Sequence, residues 1–304
     1  MPDVWLNNNF VDENAAAISL RDAGLLHGAG VFTTMRSHGG KVFQLAAHLR
    51  RLRDSCEALF IPLPVTDAVL EKAATALLER NHLTDARLRL TVTRGTVSQD
   101  PLHGMRLEPN IFLTATQFEP YPVEYYQRGL TVVLLDDQKL NPYDLQAGHK
   151  TLNYFSRLAA LREANRRKAG EALWFNVYNY LQSGSISNVF IVQGGKLLTP
   201  PTAQDLRNPV VSNETPYSRS NVLPGVTRQA IIELASQAGI ETETVAIDVG
   251  RLLEAEELFL TNSIMGVMPV CRIEQKALGD DQPGPITLQL ANALREKLED
   301  ESAA

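Results

Sequence analysis

An α+β fold in two sheet-rich units is what this sequence predicts, on three observations. Strand-like runs, alternating or uniformly apolar, recur through the whole chain. Stretches with helical apolar spacing are interleaved with them. A proline-bearing interruption, EPYPVEYY, falls near residue 120. With 304 residues the chain exceeds the usual size of one core, about 100–200 residues, so two domains are expected. Their expected boundaries are 1–120 for a small N-terminal α+β domain, 121–128 for a linker, and 129–304 for a larger C-terminal domain.

The elements follow in order. VWLNNNFV reads as two short strands around an Asn-rich turn, because Asn tolerates the positive φ of tight hairpins. Residues 48–59 and 67–83 carry helical spacing, and RLRLTVTRG and NIFLTATQF read as strands. The two prolines of EPYPVEYY each disfavour helix just before them. Beyond lie a strand, LTVVLLDD, and an irregular loop, NPYDLQAGHK. A helix is expected over 151–169, with Leu152, Phe155, Leu158, Ala159 and Arg162 on its periodic face and Gly170 as its stop. EALWFNVY and the hairpin NVFIVQGGKLLTP are strands turning on Gly194 and Gly195. LPGVTRQAIIELASQAG is a helix ending at Gly239, and TETVAID, ELFLTNS, GVMPVCRI and a closing helix near 288–298 complete the second unit. Residues 202–221, TAQDLRNPVVSNETPYSRSN, lack periodicity, which in a compact domain points to a lid or to disorder.

Composition narrows the function. The formal charge is −6 with a pI near 5.6, so the overall basic surplus of a nucleic-acid binder is missing. Hydrophobic residues at 44% and charged residues at 21% describe a globular protein. Cys56 and Cys271 have neither metal nor redox spacing, which suits a reducing compartment. MPDVWLNNNF lacks a basic region followed by an apolar core, and no run of about 18 apolar residues occurs. The expectation is a cytoplasmic protein with a small-molecule substrate, no metal, and neither nucleic acid nor membrane as partner.

Three features could carry chemistry. Lys150, in AGHKTLNYF, joins a Gly-containing loop to a helix-forming run. A lone lysine is usually a solvated charge, but a buried one has a lowered pKa and an amine available for covalent catalysis. VLPGVTR opens a helix whose first amides are unpaired and suit an anion, although Pro, Gly and Thr also open helices as plain caps. HLRRLRDS carries three arginines on more than one helix face, and one turned inward could pair with phosphate. The small polar residues of YLQSGSISNVFIV fit either a surface hairpin or a cofactor wall.

Taken together, RDAGLLHGAGVFTTMR, HLRRLRDS, KTLNYFSRLAALREANRRKAG, SGSISNVF, LPGVTR and TNSIMGVMPV resemble, in this order and over nearly the whole chain, the class IV (fold type IV) pyridoxal-phosphate enzymes. These are branched-chain and D-amino-acid aminotransferases and 4-amino-4-deoxychorismate lyase. The resemblance implies a D-amino-acid-aminotransferase-like α+β fold: a small N-terminal α/β sandwich, a larger C-terminal pseudo-barrel and pyridoxal 5'-phosphate between them, normally in a homodimer. It makes Lys150 the catalytic lysine that holds the cofactor aldehyde, and Arg51 the arginine on its phosphate. Gly225, Val226 and Thr227 are the cradle of that phosphate, and Ser263 is a hydroxyl near phosphate and substrate carboxylate. Tyr154 is either the neighbour of the ring hydroxyl or a core tyrosine. Arg36, Arg94, Ser263 and Ile264 are substrate candidates.

Two departures stand out. The family places a glutamate five residues before the Asn of SNVF, on the pyridine nitrogen. Here that position is Ser183, beside the equally uncharged Gln182, and Ala29 of HGAG stands where many members carry aspartate. Serine cannot hold a proton on the ring as a carboxylate does. Amino transfer needs a deep electron sink in both half reactions. Elimination of pyruvate from aminodeoxychorismate gains an aromatic ring and needs it less. GVFTTMR and TNSIMGVMPV also look closer to the lyase. The expectation is therefore a lyase giving 4-aminobenzoate on the folate route, with a class IV aminotransferase, or a protein of this fold that has lost catalysis, as alternatives.

Overall fold

The structure is a computed structural model that describes residues 2–100 and 104–303. Its contacts fall into two units, Met1–Glu119 with His149–Tyr154 and Leu298–Ala304, and Pro120–Gly148 with Phe155–Lys297.

In the first unit, β1 (Asp3–Leu6) and β2 (Asn9–Asp12) form a hairpin turning on Asn7 and Asn8, both at positive φ (48° and 69°). Asn supplies that conformation at low cost. After α1 (Ala23–His27), capped by Asp22 and ended by Gly28 at φ 65°, come β3 (Gly30–His38), β4 (Lys41–Val42), α2 (Leu45–Ala58) and α3 (Asp67–Arg80). Four further strands are β5 (Ala86–Thr93), the separate hairpin β6 (Thr96–Asp100) and β7 (Gly104–Glu108), and β8 (Ile111–Gln117). The sheet runs β2-β1-β8-β5-β3-β4. Its odd-numbered β3 residues Val31 and Met35 and the β5 residues Leu88 and Leu90 pack with Leu49, Leu52, Leu70 and Leu77 of the helices. Each such buried side chain contributes about 1.5–3 kcal/mol.

Residues 149–154 belong to this unit because they pair with β3. Val31 bridges Thr151, Phe32 N–H donates to the Lys150 carbonyl (2.9 Å), and Leu152 N–H donates to the Gly30 carbonyl (2.9 Å). Gly30 permits the approach, since a Cβ there would lie 2.6 Å from Leu152 Cδ1. The helix expected from residue 151 therefore starts at 155, because backbone committed to a strand cannot also close helical turns.

The second unit opens with α4 (Val123–Arg128), inside the segment read as a linker. Pro122 stands at its N-cap, where the missing N–H costs nothing. Next come β9 (Leu130–Leu140), α5 (Phe155–Arg166), β10 (Glu171–Asn176), β11 (Leu181–Gly184), β12 (Asn188–Gln193) and β13 (Lys196–Thr199). Then follow α6 (Pro209–Glu214), α7 (Val226–Gln237), β14 (Thr242–Thr244), α8 (Val249–Leu253), β15 (Glu257–Asn262), β16 (Gly266–Ile273), β17 (Lys276–Ala277) and α9 (Pro285–Ala303), whose residues from Leu298 onward belong to the first unit. Gly194 and Gly195, at φ 60° and 73°, turn the β12–β13 hairpin.

The sheet path is β11-β10-β9-β16-β15-β12-β13-β14, with β9 parallel to β10 and to β16. β11 and β12 are first and sixth on this path, yet only Ser185, Ile186 and Ser187 separate them in sequence. So short a connection keeps their ends adjacent, and the sheet must curl round to meet itself. This is the pseudo-barrel, and residues 185–187 are its seam. Inside it lie Leu173, Phe175, Val189, Ile191, Leu258, Leu260 and Met268.

Helix α5 packs differently from its expected face. Ala160 and Ala164 are buried against Val133, Leu135, Ala172 and Trp174, whereas Phe155 and Leu158 are exposed (81% and 58%). Small side chains let the helix lie close on the sheet, so burial follows the alanines. Residues 202–221 are ordered: Tyr217, Ser220 and Asn221 are buried, and the Arg228 guanidinium on α7 donates to the Asp205 carboxylate (2.9 Å).

Candidate active site

In the first unit the groups gather where residues 149–154 lie along β3. Lys150 Nζ donates to the Tyr154 hydroxyl at 3.0 Å and stands 4.5 Å from the centroid of the Phe32 ring. Phe32 meets Tyr154 edge-on at 5.4 Å, and the Arg89 guanidinium lies 3.5 Å from the Phe32 centroid. Arg51 projects from α2, where its Nη2 donates to Thr33 Oγ1 (2.9 Å), and Thr33 Oγ1 meets His48 Nδ1 at 2.9 Å.

Electrostatics set the states of these groups. Burial pulls the Arg51 pKa down to about 10, and the Tyr154 phenol acts in the opposite direction. Burial first, then the positive charges of Arg51 and Lys150, hold His48 well below its ordinary range. His48 is therefore neutral at pH 7. With Arg51 Nη2 also 3.5 Å from Nδ1, that nitrogen is the acceptor and the ring proton sits on Nε2. A second histidine, His149, is lowered by burial and touches Ser55 Oγ at 3.0 Å.

In the second unit the groups are linked through the barrel. Ser183 pairs with Trp174 across β11 and β10, and Arg157 of α5 donates to Ser183 Oγ (3.4 Å) and to the carbonyls of Gly184 (3.0 Å) and Ser185 (3.1 Å). The buried Glu171 carboxylate accepts from the amides of Ala172, Ser185 and Ile186 and from Ser187 Oγ. Its pKa is raised by burial, against those four hydrogen bonds. Asn188 Nδ2 donates to the Leu223 carbonyl (3.0 Å) and thereby fixes the entry to α7. Gly225 is the N-cap of that helix and no side chain caps it. A Cβ at 225 would fall 2.0 Å from Asn188 Oδ1. Thr227 is buried in the first turn. Asn262 Oδ1 accepts from the amides of Ile264 and Met265 (2.9 and 2.8 Å) and its Nδ2 donates to the Ile186 carbonyl (3.2 Å), which ties the Ser263–Ile264 turn to the seam.

The structure thus brings Lys150, Tyr154 and Arg51 together in one unit. In the other, Ser183, Gly225, Val226, Thr227, Ser263 and Ile264 lie on connected elements. Of the two remaining candidates, Arg36 stacks on Phe118, 3.9 Å from its centroid, and the Nε of Arg94 is buried. Sequence reasoning missed Arg89, Arg157, His48 and Thr33. The alternation of RLRL places Arg87 and Arg89 opposite Leu88 and Leu90, which is a visible signal. Nothing in sequence marks Arg157. Gln182 has a structural role: its side chain donates to the Tyr217 hydroxyl and accepts from the Asn221 amide.

A curled sheet in one unit and an α/β layer in the other, the latter with a lysine on a tyrosine and an arginine buried nearby, define a class of cofactor enzymes. Residues 30–273 match the family model for amino-transferase class IV, and the chain belongs to that family of pyridoxal-phosphate-dependent enzymes. It is 33% identical over 299 residues, 98% of this chain and 95% of the other, to a Methanocaldococcus jannaschii protein to which branched-chain-amino-acid aminotransferase activity is ascribed. Among solved structures it is similar to the branched-chain amino acid aminotransferase of Escherichia coli. The TM-score is 0.86 at 25% identity, over 97% of this chain and 94% of that one. It shares its fold with a Legionella pneumophila protein to which 4-amino-4-deoxychorismate lyase activity is ascribed, with a TM-score of 0.80 at 20% identity over 94% and 97%.

The residues present fit the cofactor. An aldehyde needs an amine, and Lys150 Nζ is held between Phe32 and the Tyr154 hydroxyl. A phosphate needs desolvated donors. Each unit offers some by itself: the buried Arg51 guanidinium in the first, and in the second the uncapped first turn of α7, whose amides follow a glycine that admits no side chain.

Proposed function

We propose that the protein is an amino-acid aminotransferase, moving the amino group of one amino acid to a keto acid and leaving the first substrate as a keto acid. The supporting observation is the pairing of Lys150 with Tyr154 in a chain whose full-length relatives are aminotransferases. Bound pyridoxal phosphate supplies an aldehyde for the amino group and a ring that accepts electrons. Lys150 is the catalytic residue: its Nζ would hold the cofactor aldehyde, and its amine would carry the proton at the substrate's α carbon. The Tyr154 hydroxyl orients that amine. Arg51, Gly225, Val226, Thr227 and Ser263 would hold the phosphate, Ser183 would face the ring nitrogen, and Arg36 or Arg94 would take the substrate carboxylate together with Ser263 and Ile264.

A second reading, elimination of pyruvate from aminodeoxychorismate, is favoured by one observation: Ser183 stands against a cation, Arg157, rather than being an acid. One paired assay separates the two. Keto-acid-dependent amino transfer, with no release of 4-aminobenzoate, is the expected result; release of 4-aminobenzoate and pyruvate would replace the first reading with the second. A Lys150→Ala variant with full turnover of either kind would refute both. The cysteines Cys56 and Cys271 are buried and free, in keeping with a reducing setting. No described helix is long and apolar enough to cross a membrane. The exposed apolar side chains of Leu20, Leu25, Phe155 and Leu158 support a homodimer.

A further inference from the structure

The barrel seam is held by two opposite charges. Glu171 meets its amide side, through Ala172, Ser185, Ile186 and the Ser187 hydroxyl. Arg157 meets its carbonyl side, at Gly184 and Ser185, and reaches Ser183 Oγ at 3.4 Å with its guanidinium carbon 5.6 Å from the Trp174 ring centroid. Ser183 therefore receives a hydrogen bond from a cation. Its own hydroxyl proton is what it can offer a ligand. We propose that the Arg157–Ser183 pair keeps the pyridine nitrogen of the cofactor unprotonated, with Ser183 donating its hydroxyl proton to that nitrogen and Arg157 acting as the positioning residue behind it.

This inference rests on the placement of Ser183 at the ring nitrogen. Given that placement, hydrogen-bond polarity and charge agree. An unprotonated pyridine nitrogen is an acceptor and matches the Ser183 donor. A protonated one is a cation, and the guanidinium on the far side of the serine would repel it. Glu171 does not reverse this balance, because its oxygens are already engaged by the seam amides and Ser187. The ring would then draw electrons weakly, which weighs toward elimination over amino transfer and makes proton transfer at the substrate depend more heavily on Lys150.

The test is a ring-nitrogen measurement on the holoenzyme. Wild type, Ser183→Glu and Arg157→Lys are loaded with pyridoxal phosphate labelled with 15N in the ring, and cofactor uptake is checked by absorbance and by borohydride fixation to Lys150. The 15N shift is then read by NMR. The expected result is an unprotonated-pyridine shift in wild type and in Arg157→Lys, which retains the cation, and movement to the pyridinium range in Ser183→Glu. A pyridinium shift in wild type overturns the proposal while leaving the cofactor reading intact. A folded Ser183→Glu protein that binds cofactor with an unmoved shift overturns the placement of the nitrogen and the proposal with it. Failure of wild type to take up cofactor overturns both readings. Because the wild-type measurement decides by itself, a variant that fails to fold does not rescue the proposal.

Discussion

Arg51 is the residue on which cofactor affinity is expected to depend most. A charged hydrogen bond lost from a buried site is worth about 1.5–3 kcal/mol, so Arg51→Leu should weaken pyridoxal-phosphate binding about 10–100-fold in a fluorescence titration. Unchanged affinity would remove Arg51 from the phosphate site. Its neighbour His48 makes a pH prediction. The folded pKa is lowered below the ordinary 6.5, so the unfolded chain binds the proton first and stability is lost as pH falls below 6.5. The slope is at most about 1.4 kcal/mol per pH unit from this group, and His149, lowered by burial, acts in the same direction. Denaturant melts of wild type and His48→Gln between pH 7.5 and about 5.5 should show the shallower pH dependence in the variant. Equal slopes would mean that His48 is not the group responsible. The arginine and the lysine of the proposed site were both candidates in the sequence. Their supports were not, because Thr33 and Arg89 reach the site only through the register of β3 on β5, which no local pattern encodes.

The start of α7 makes the prediction at the scale of an element. Gly225→Ala places a methyl 2.0 Å from Asn188 Oδ1, so the strand residue and the helix cap cannot both keep their positions. The expected loss is about 1–3 kcal/mol, as for other overpacked sites. Asn188→Ala removes the clash, so the double variant should lose less than the sum of the two single losses in chemical unfolding. Strict additivity would show that the two residues do not meet. Most elements were visible from period and turn chemistry: the Asn7–Asn8 hairpin, the Gly194–Gly195 hairpin and the LPGVTR helix all contain their own signals. The errors lie where partners decide. Thr151–Tyr154 looks helical until β3 claims its backbone, and the outward Phe155 and Leu158 masked the small Ala160–Ala164 face.

The whole molecule carries apolar surface that a single chain leaves bare. Leu20 (80% exposed), Leu25 and Leu26 lie on the first unit, and Phe155 and Leu158 on the second. If these faces bury each other in a homodimer, Leu25→Glu with Phe155→Glu should shift sedimentation from dimer toward monomer. A wild-type chain already monomeric at micromolar concentration would refute the dimer. The seam at residues 185–187 has a last consequence, for the order in which the protein is made. β9 cannot be completed by its neighbours until β16 is synthesised, since the ring needs Val270–Ile273 beside Leu130–Val132. A nascent chain that has passed the seam but not residue 273 holds β9 with one edge open. Such parallel, distant pairings form slowly and leave strands exposed while they wait. Ribosome-bound chains halted before residue 273 should therefore be digested readily within 130–193 and become resistant only once that strand has emerged.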